Sequence, residues 1–331
     1  LVEITRGRVV ESGHRGAAAV VAPDGRVVMA WGDIDRPIYP RSAVKPIQAL
    51  PLVQTGAARA LGIKRIELAL ACASHSGEPG HTDAVRGWLE RLGYGPADLE
   101  CGAHAPTDRR TRNELIRRGE APSALHNNCS GKHAGFLAVC RHMGFPSRGY
   151  IEPAHPVQRL VREALAAATG ADLERVSPGV DGCGIPAFAI PLRALAHAMT
   201  VYADRPPHAG RAPGAAQIRD AVTGEPWYTA GRDRFATRVM EAAAGNVLVK
   251  TGAEGTCCAA IVDRGLGIAV KIDDGAQRAV EVAAGAVLRR LGGIDDDTAE
   301  TLRDKLEPDI MSVAGGTAGA ARPSPQLRRA R

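Results

Sequence analysis

Alternation and periodicity divide the chain into strand-like ends around a helical middle. VEITRGRVVESG and GAAAVVAPDGRVVMAWG read as three strands, and the Pro23-Asp24-Gly25 turn joins the last two in a hairpin. SAVKPIQALPLVQTG reads as a helix interrupted at Pro46 and Pro51, with Ser42 at its entrance. RIELALACAS reads as an apolar strand that runs into the loop SHSGEPGH, and TDAVRGWLERLG as an amphipathic helix. APSALHNNCSGKHAGFLAVCRHMG is a polar loop feeding a buried helix. PVQRLVREALAAATG is a helix begun by Pro156, and PLRALAHAMTVYAD is another. Between them VSPGVDGCGIPAFAIPL, rich in glycine and proline and nearly free of charge, reads as a buried functional turn. NVLVKTG, GTCCAAIVD and LGIAVKIDD are consecutive strands, and QRAVEVAAGAVLRRLG is a helix to pack on them. The pattern predicts an α+β fold: one antiparallel sheet from 1–35 and 246–292, closed by the two termini, with a helical region in between. That domain covers 1–311, and the glycine-rich, basic residues 312–331 are expected to be a disordered tail.

Composition narrows the classes. With 331 residues and 45% hydrophobic content the chain can build a sizeable core, but at 4% aromatic that core is made of Ala, Val, Leu and Ile. The net charge of +6 is scattered among acids, which speaks against a nucleic-acid surface. No run approaches a membrane span. The opening residues, which begin at Leu1 and so leave room for a few before it, lack the apolar core of a secretory signal. Seven irregularly spaced cysteines do not make a disulfide framework in a chain of this length, so the expectation is a reducing, cytoplasmic setting.

The charge also carries a chemical hint. Of 42 basic residues only six are lysine: Lys45, Lys64, Lys132, Lys250, Lys271 and Lys305. Arginine keeps its proton in proteins and lysine can lose it, so each lysine is a candidate for chemistry. Lys64, Lys271 and Lys305 sit among ordinary neighbours and read as surface charge. Ser42-x-x-Lys45 places a hydroxyl and an amine on one face of a helical turn, where a lysine of lowered pKa can act as base for a serine nucleophile. The strand ending Lys250-Thr251-Gly252 is the partner of such a pair in serine β-lactamases and penicillin-binding proteins.

Three further stretches concentrate polar chemistry. CASHSGE sets Ser74, His75 and Ser76 where an apolar run becomes a loop. HNNCSGKHAGF gathers two histidines, two asparagines, a cysteine, a serine and a lysine before an apolar helix, whose first N–H groups suit an anion such as a carboxylate. DGCGIP adds Asp181 and Cys183. Cys129 and Cys183 read either as thiolate metal ligands or as two buried cysteines, and without CxxC spacing the chemistry alone favours the second. The adjacent Cys257 and Cys258 read as core.

The set SAVKP, ASHSGEP, HNNCSGKHAGFL, DGCGIP and KTGAEG, in this order, resembles the L-asparaginase II family of the thermolabile, rhizobial type over about residues 1–310. The resemblance implies a fold similar to serine β-lactamases and glutaminases, usually homodimeric, and hydrolysis of L-asparagine to L-aspartate and ammonia. It implies two Ser-Lys pairs, Ser42 with Lys45 and Ser74 with Lys250, and a zinc site at Cys129, Lys132 and Cys183 of structural or substrate-organising character, with no organic cofactor. Lys132 would ligate as a neutral amine, and the resemblance thereby reverses the preference for two plain buried cysteines. Ser42 is the favoured nucleophile because it starts a helix. Arg41 and His133 are candidates for the substrate carboxylate and Asp181 for its ammonium. The alternatives are another serine amidohydrolase, glutaminase or β-lactamase-like, and an inactive zinc-binding protein of the same fold.

Overall fold

The computed structural model describes residues 1–203 and 212–328. Of these, 45–189 and 212–237 form one compact unit, and 1–44, 190–203 and 238–328 form another.

The first of these units is helical. Its elements are α1 (Lys45–Gln48), α2 (Leu50–Gln54), α3 (Ala57–Ala60), α4 (Arg65–Ala71), α5 (Pro79–Arg91), α6 (Arg109–Arg118), α7 (Ser130–Met143), α8 (Pro156–Thr169), α10 (Ala215–Gly224) and α11 (Pro226–Ala230). As expected, prolines break the SAVKPIQALPLVQTG run into α1 and α2, with Pro46 and Pro51 at positions whose N–H a helix does not need. The strand expected at RIELALACAS is instead α4, packed against α5, α7, α10 and α11. A short apolar run buried on all sides carries no period that separates strand from helix. Local chemistry decides here. Glu, Leu and Ala are good helix formers, and the Glu67 carboxylate accepts the Lys64 N–H at 2.8 Å, capping the first turn. The DGCGIP turn is framed by the bridge between β6 (Gly179–Val180) and β7 (Pro186–Ala187).

The second unit is built on sheets. β3 (Gly16–Val21) and β4 (Val27–Trp31) form the expected hairpin, and β9 (Val247–Gly252), β10 (Thr256–Ile261) and β11 (Leu266–Ile272) complete an antiparallel sheet ordered β4-β3-β11-β10-β9. Every residue of β10 is buried, so both its faces are covered. α9 (Leu192–Met199) lies on β3, β10 and β11, and α13 (Gln277–Arg290) on β10 and β11. The approach of α9 needs Gly267, where an added Cβ would stand 1.9 Å from the Ala196 carbonyl oxygen. β5 (Pro37–Ile38) bridges β8 (Ile190–Pro191). The helices are completed by α14 (Asp296–Thr301), α15 (Arg303–Leu306) and α16 (Pro325–Arg328), and α12 (Phe235–Ala242) has its first three residues in the helical unit and the rest in this one.

Two expectations change. The first strand run is a hairpin of its own, β1 (Val2–Arg6) and β2 (Val9–His14), and it lies in a second, four-stranded antiparallel sheet ordered β12-β13-β1-β2 rather than in one common sheet. The partners in that sheet are β12 (Asp309–Met311) and β13 (Thr317–Pro323), drawn largely from the segment expected to be disordered. Val2, Glu3 and Ile4 face Pro323, Arg322 and Ala321. The small residues that made this segment look coreless allow it to lie close to β1: a Cβ at Gly319 would be 1.8 Å from the Thr5 oxygen. α16 follows, with Leu327 buried, and residues 329–331 lie outside the described ones. Among the described residues no helix is long and apolar enough to cross a membrane.

Candidate active site

Three of the six lysines are buried, and they are the three singled out by sequence: Lys45 is 0% exposed and Lys132 and Lys250 are 1% exposed. A buried ammonium is costly unless its donors are met, so the partners of each define the candidate site.

In the sheet unit, Lys250 lies on β9 opposite Cys258, and its Nζ donates to the Thr251 carbonyl at 2.9 Å among its contacts. The same strand runs against the turn that carries Ser42. A Cβ at Gly252 would stand 2.7 Å from the Pro40 oxygen and 2.9 Å from the Ala43 nitrogen, so glycine is required for this approach. Ser42 lies in a 3-10 turn, Arg41–Val44, that leads into α1. Arg41 enters it at φ 51°, a left-handed conformation uncommon for a residue with a side chain and one that concentrates at functional sites.

In the helical unit, Lys45 Nζ donates to the Ala73 carbonyl and, at 3.0 Å, to Ser74 Oγ. Ser74 follows the end of α4 and is the one half-buried residue between the buried Glu67 and Glu78. Its N–H is tied to the Thr229 carbonyl at 2.9 Å. The loop continues through Ser76, whose hydroxyl donates to Glu78 at 2.8 Å, and Glu78 in turn binds the Arg232 guanidinium at 3.2 Å.

The thiols meet beside Lys45. Cys129 caps the start of α7, Lys132 follows one turn later, and Lys132 Nζ donates to Cys183 Sγ at 3.1 Å. Cys183 sits in a tight turn in which Gly184 N–H binds the Asp181 carbonyl at 2.8 Å. The cysteines share a hydrogen bond that holds Cys129 far below the ordinary thiol value, against its burial and with help from Lys45 and Lys132. The same bond, with burial, pushes Cys183 up. Burial disfavours the Lys132 ammonium, but the two sulfurs and Asp181 outweigh it and raise its pKa above the usual lysine value. Lys45 also hydrogen-bonds Cys129, so one amine joins the Ser74 hydroxyl to the thiols. Among the described residues no three His, Cys, Asp or Glu side chains cluster as a metal site would require, and the third donor here is the Lys132 amine.

The substrate-binding candidates have different surroundings. Arg41 is half-buried at the strained turn. Asp181 is half-buried, and its side chain accepts the Gly182 N–H at 2.8 Å. His133 is fully buried, with Nδ1 2.9 Å from the Tyr150 hydroxyl. That hydroxyl accepts the Glu100 N–H at 2.7 Å, leaving its own proton for the histidine. Burial, then Lys132 and Lys45, holds His133 well below the usual imidazole value, so it is neutral rather than a cation that would attract a carboxylate.

Sequence reasoning missed several supports. Asn127 accepts the Cys129 N–H at 2.9 Å and donates to the Cys101 and Gly102 carbonyls at 2.8 and 3.0 Å, pinning the thiol turn. The density of polar residues in HNNCSGKH was its only signal. The segment around Trp227–Arg232, which braces the Ser74 loop, had none.

The profile of the L-asparaginase II family matches residues 2–323. No curated protein matches the chain. Among solved structures, Mglu in its native form is 16% identical over 89% of this chain and 69% of its own, with a TM-score of 0.47. The native form of Mglu in 4.3 M NaCl is 16% identical over 91% and 64%, with a TM-score of 0.37. Mglu in its tris and glutamate form is 17% identical over 92% and 64%, with a TM-score of 0.36. The chain spans about two thirds of the length of these structures.

Proposed function

The chain belongs to the L-asparaginase II family, and on that premise we propose that it is an L-asparaginase of serine β-lactamase-like and glutaminase-like fold, which hydrolyses L-asparagine to L-aspartate and ammonia. The observation that carries the reading is the fully buried Lys45, three residues after Ser42 in sequence, whose amine stands 3.0 Å from Ser74 Oγ. A buried amine bonded to a serine hydroxyl is equipped to move a proton.

In the proposed reaction Lys45, as the neutral amine, takes the proton of Ser42 while Oγ attacks the side-chain amide carbon. Backbone N–H groups hold the oxyanion, a contribution of about 3 kcal/mol per donor. The proton passes from Lys45 through Ser74 to the leaving nitrogen, with Lys250 assisting Ser74, and ammonia departs. Water then adds to the acyl group on Ser42 and gives up a proton by the same route, releasing aspartate and restoring the serine. Arg41 and Asp181 are the proposed partners of the substrate carboxylate and ammonium. His133, neutral and interior, would act only as a hydrogen-bonding neighbour.

Cys129, Lys132 and Cys183 fit a zinc ion chemically, as two sulfurs and an amine gathered in one buried turn. Zinc bound there would supply a fixed positive charge that orders the start of α7. Loading it requires loss of the Lys132 proton and of the thiol protons, so affinity should rise with pH. We take the enzyme to be a homodimer, to be checked by sedimentation.

The test is ammonia release from L-asparagine and L-glutamine by the wild type and by Ser42→Ala, beside the metal content of both proteins. Turnover of asparagine that disappears in the variant is the expected result. Turnover of glutamine alone would make the enzyme a glutaminase, and bound zinc without turnover would leave a binding protein.

A further inference from the structure

His75 takes no part in the chemistry above, yet it follows Ser74 directly and is 1% exposed. Both ring nitrogens are engaged. Nδ1 accepts the Gly77 N–H at 3.2 Å, and Nε2 lies 2.9 Å from Ser130 Oγ. The Ser130 hydroxyl, itself 0% exposed, gives its only proton to the Leu125 carbonyl at 3.0 Å. Toward His75 it can therefore only accept, which assigns the neutral ring with its proton on Nε2. Ser130 is the first residue of α7, between Cys129 and the turn that carries Lys132.

The ring is also clamped across its face. It stacks on His81 with centroids 5.0 Å apart and planes within 9°, and His81 stacks on Trp227 at 4.0 Å and 18°. His81 Nε2 is 2.9 Å from the Trp227 carbonyl, an acceptor, so it donates there. In-plane bonds and stacking together hold the imidazole at both ring nitrogens and across its face. A surface loop needs no such arrangement, whereas a serine that must meet Lys45 within hydrogen-bonding distance does.

We propose that His75 is a positioning residue: its Nε2–H bond to Ser130 registers the Ser74 hydroxyl against the Cys129–Lys132 turn, so that Lys45 meets the serine and the thiols together. The role rests on the asparaginase reading, since the step it serves is the proton relay through Ser74.

The test compares His75→Gln, whose amide can present an N–H near the Nε2 position, with His75→Asn, which cannot reach it, and with Ser130→Ala, which removes the acceptor together with its bond to the Leu125 carbonyl. In His75→Asn and Ser130→Ala, kcat for ammonia release should fall roughly tenfold to a hundredfold, the effect of misplacing a reacting group by about 1 Å. KM should stay within about twofold and His75→Gln should recover most of kcat. Equal losses in Gln and Asn, or a rise in KM at constant kcat, would overturn the proposal. The second readout is the ¹⁵N spectrum of histidine-labelled protein, which needs no turnover. The wild type should hold the Nε2–H tautomer of His75 from about pH 5.5 to about pH 8, and Ser130→Ala should lose that fixed state. An Nδ1–H tautomer, or an unchanged spectrum in Ser130→Ala, refutes the bond even if His75→Asn fails to fold. Absence of asparagine turnover in the wild type would instead count against the functional reading alone.

Discussion

α6 and α7 belong to the same unit and are held by opposite means. α7 is buried at every position from Ser130 to Cys140, and its N-cap, Cys129, makes no side-chain capping bond; the sulfur is engaged with Asn128, Cys183 and Lys45. α6 has no buried residue, leaves Ile116 70% exposed, and carries five arginines. It is secured locally. The Asp108 cap accepts from Thr111 N–H at 2.7 Å, Glu114 pairs with Arg117 and, at 2.8 Å, with Arg118, and Gly119 closes the C-terminus. Packing can replace a cap, and it frees the cap residue for chemistry. Charge follows the same division. Where it faces water this chain uses arginine far more often than lysine, and where it is buried beside a thiol or a hydroxyl it uses lysine, which can give up its proton.

The sharpest way to break this contrast is Lys45→Arg. It keeps the charge and removes the base, so ammonia release should drop about a thousandfold. Activity near the wild-type level would mean that lysine is not needed for its proton. Next in size is core truncation. Leu137→Ala in α7, at a fully buried position, should cost about 3 kcal/mol in urea unfolding.

Acidity should act on the buried side of the comparison. Burial, before any other cause, lowers the pKa of His75, His81 and His133, so the native protein resists protonating them. Below about pH 6.5 the unfolded chain takes up protons at these sites more readily than the native chain does. Stability is therefore complete above that pH and declines as pH falls, by up to about 1.4 kcal/mol per pH unit for each group. A urea midpoint that is flat between about pH 7 and about pH 5 would contradict this.

The exposed helix should respond least. Asp108→Ala should loosen α6 by about 1 kcal/mol, seen as faster amide exchange in residues 109–118. Ile116→Ser should change global stability by less than about 0.5 kcal/mol. A larger effect would show that α6 has a partner.

How much was legible depended on the range of the interaction. The hairpin at Pro23-Asp24-Gly25, the proline breaks before α2 and the helix opened by Pro156 are written in neighbouring residues, and all appear as read. So do the lysines: a scarce residue type among 36 arginines marked three positions that are buried. The α4 segment was misread because burial on every side erases the period that separates helix from strand. The tail was misread because small residues signal disorder until a strand such as β1 offers them an edge.

The sequence by itself determined which residues are capable of chemistry, and through the order of its motifs the family to which the chain belongs. Only the tertiary structure decided their partners. Lys45 meets Ser74 across 29 residues, Lys132 meets Cys183 across 51, and His75 meets Ser130 across 55. Propensity and turn chemistry act within a few residues of the chain, whereas a hydrogen bond between distant side chains exists only once packing has excluded water and brought both to the same place.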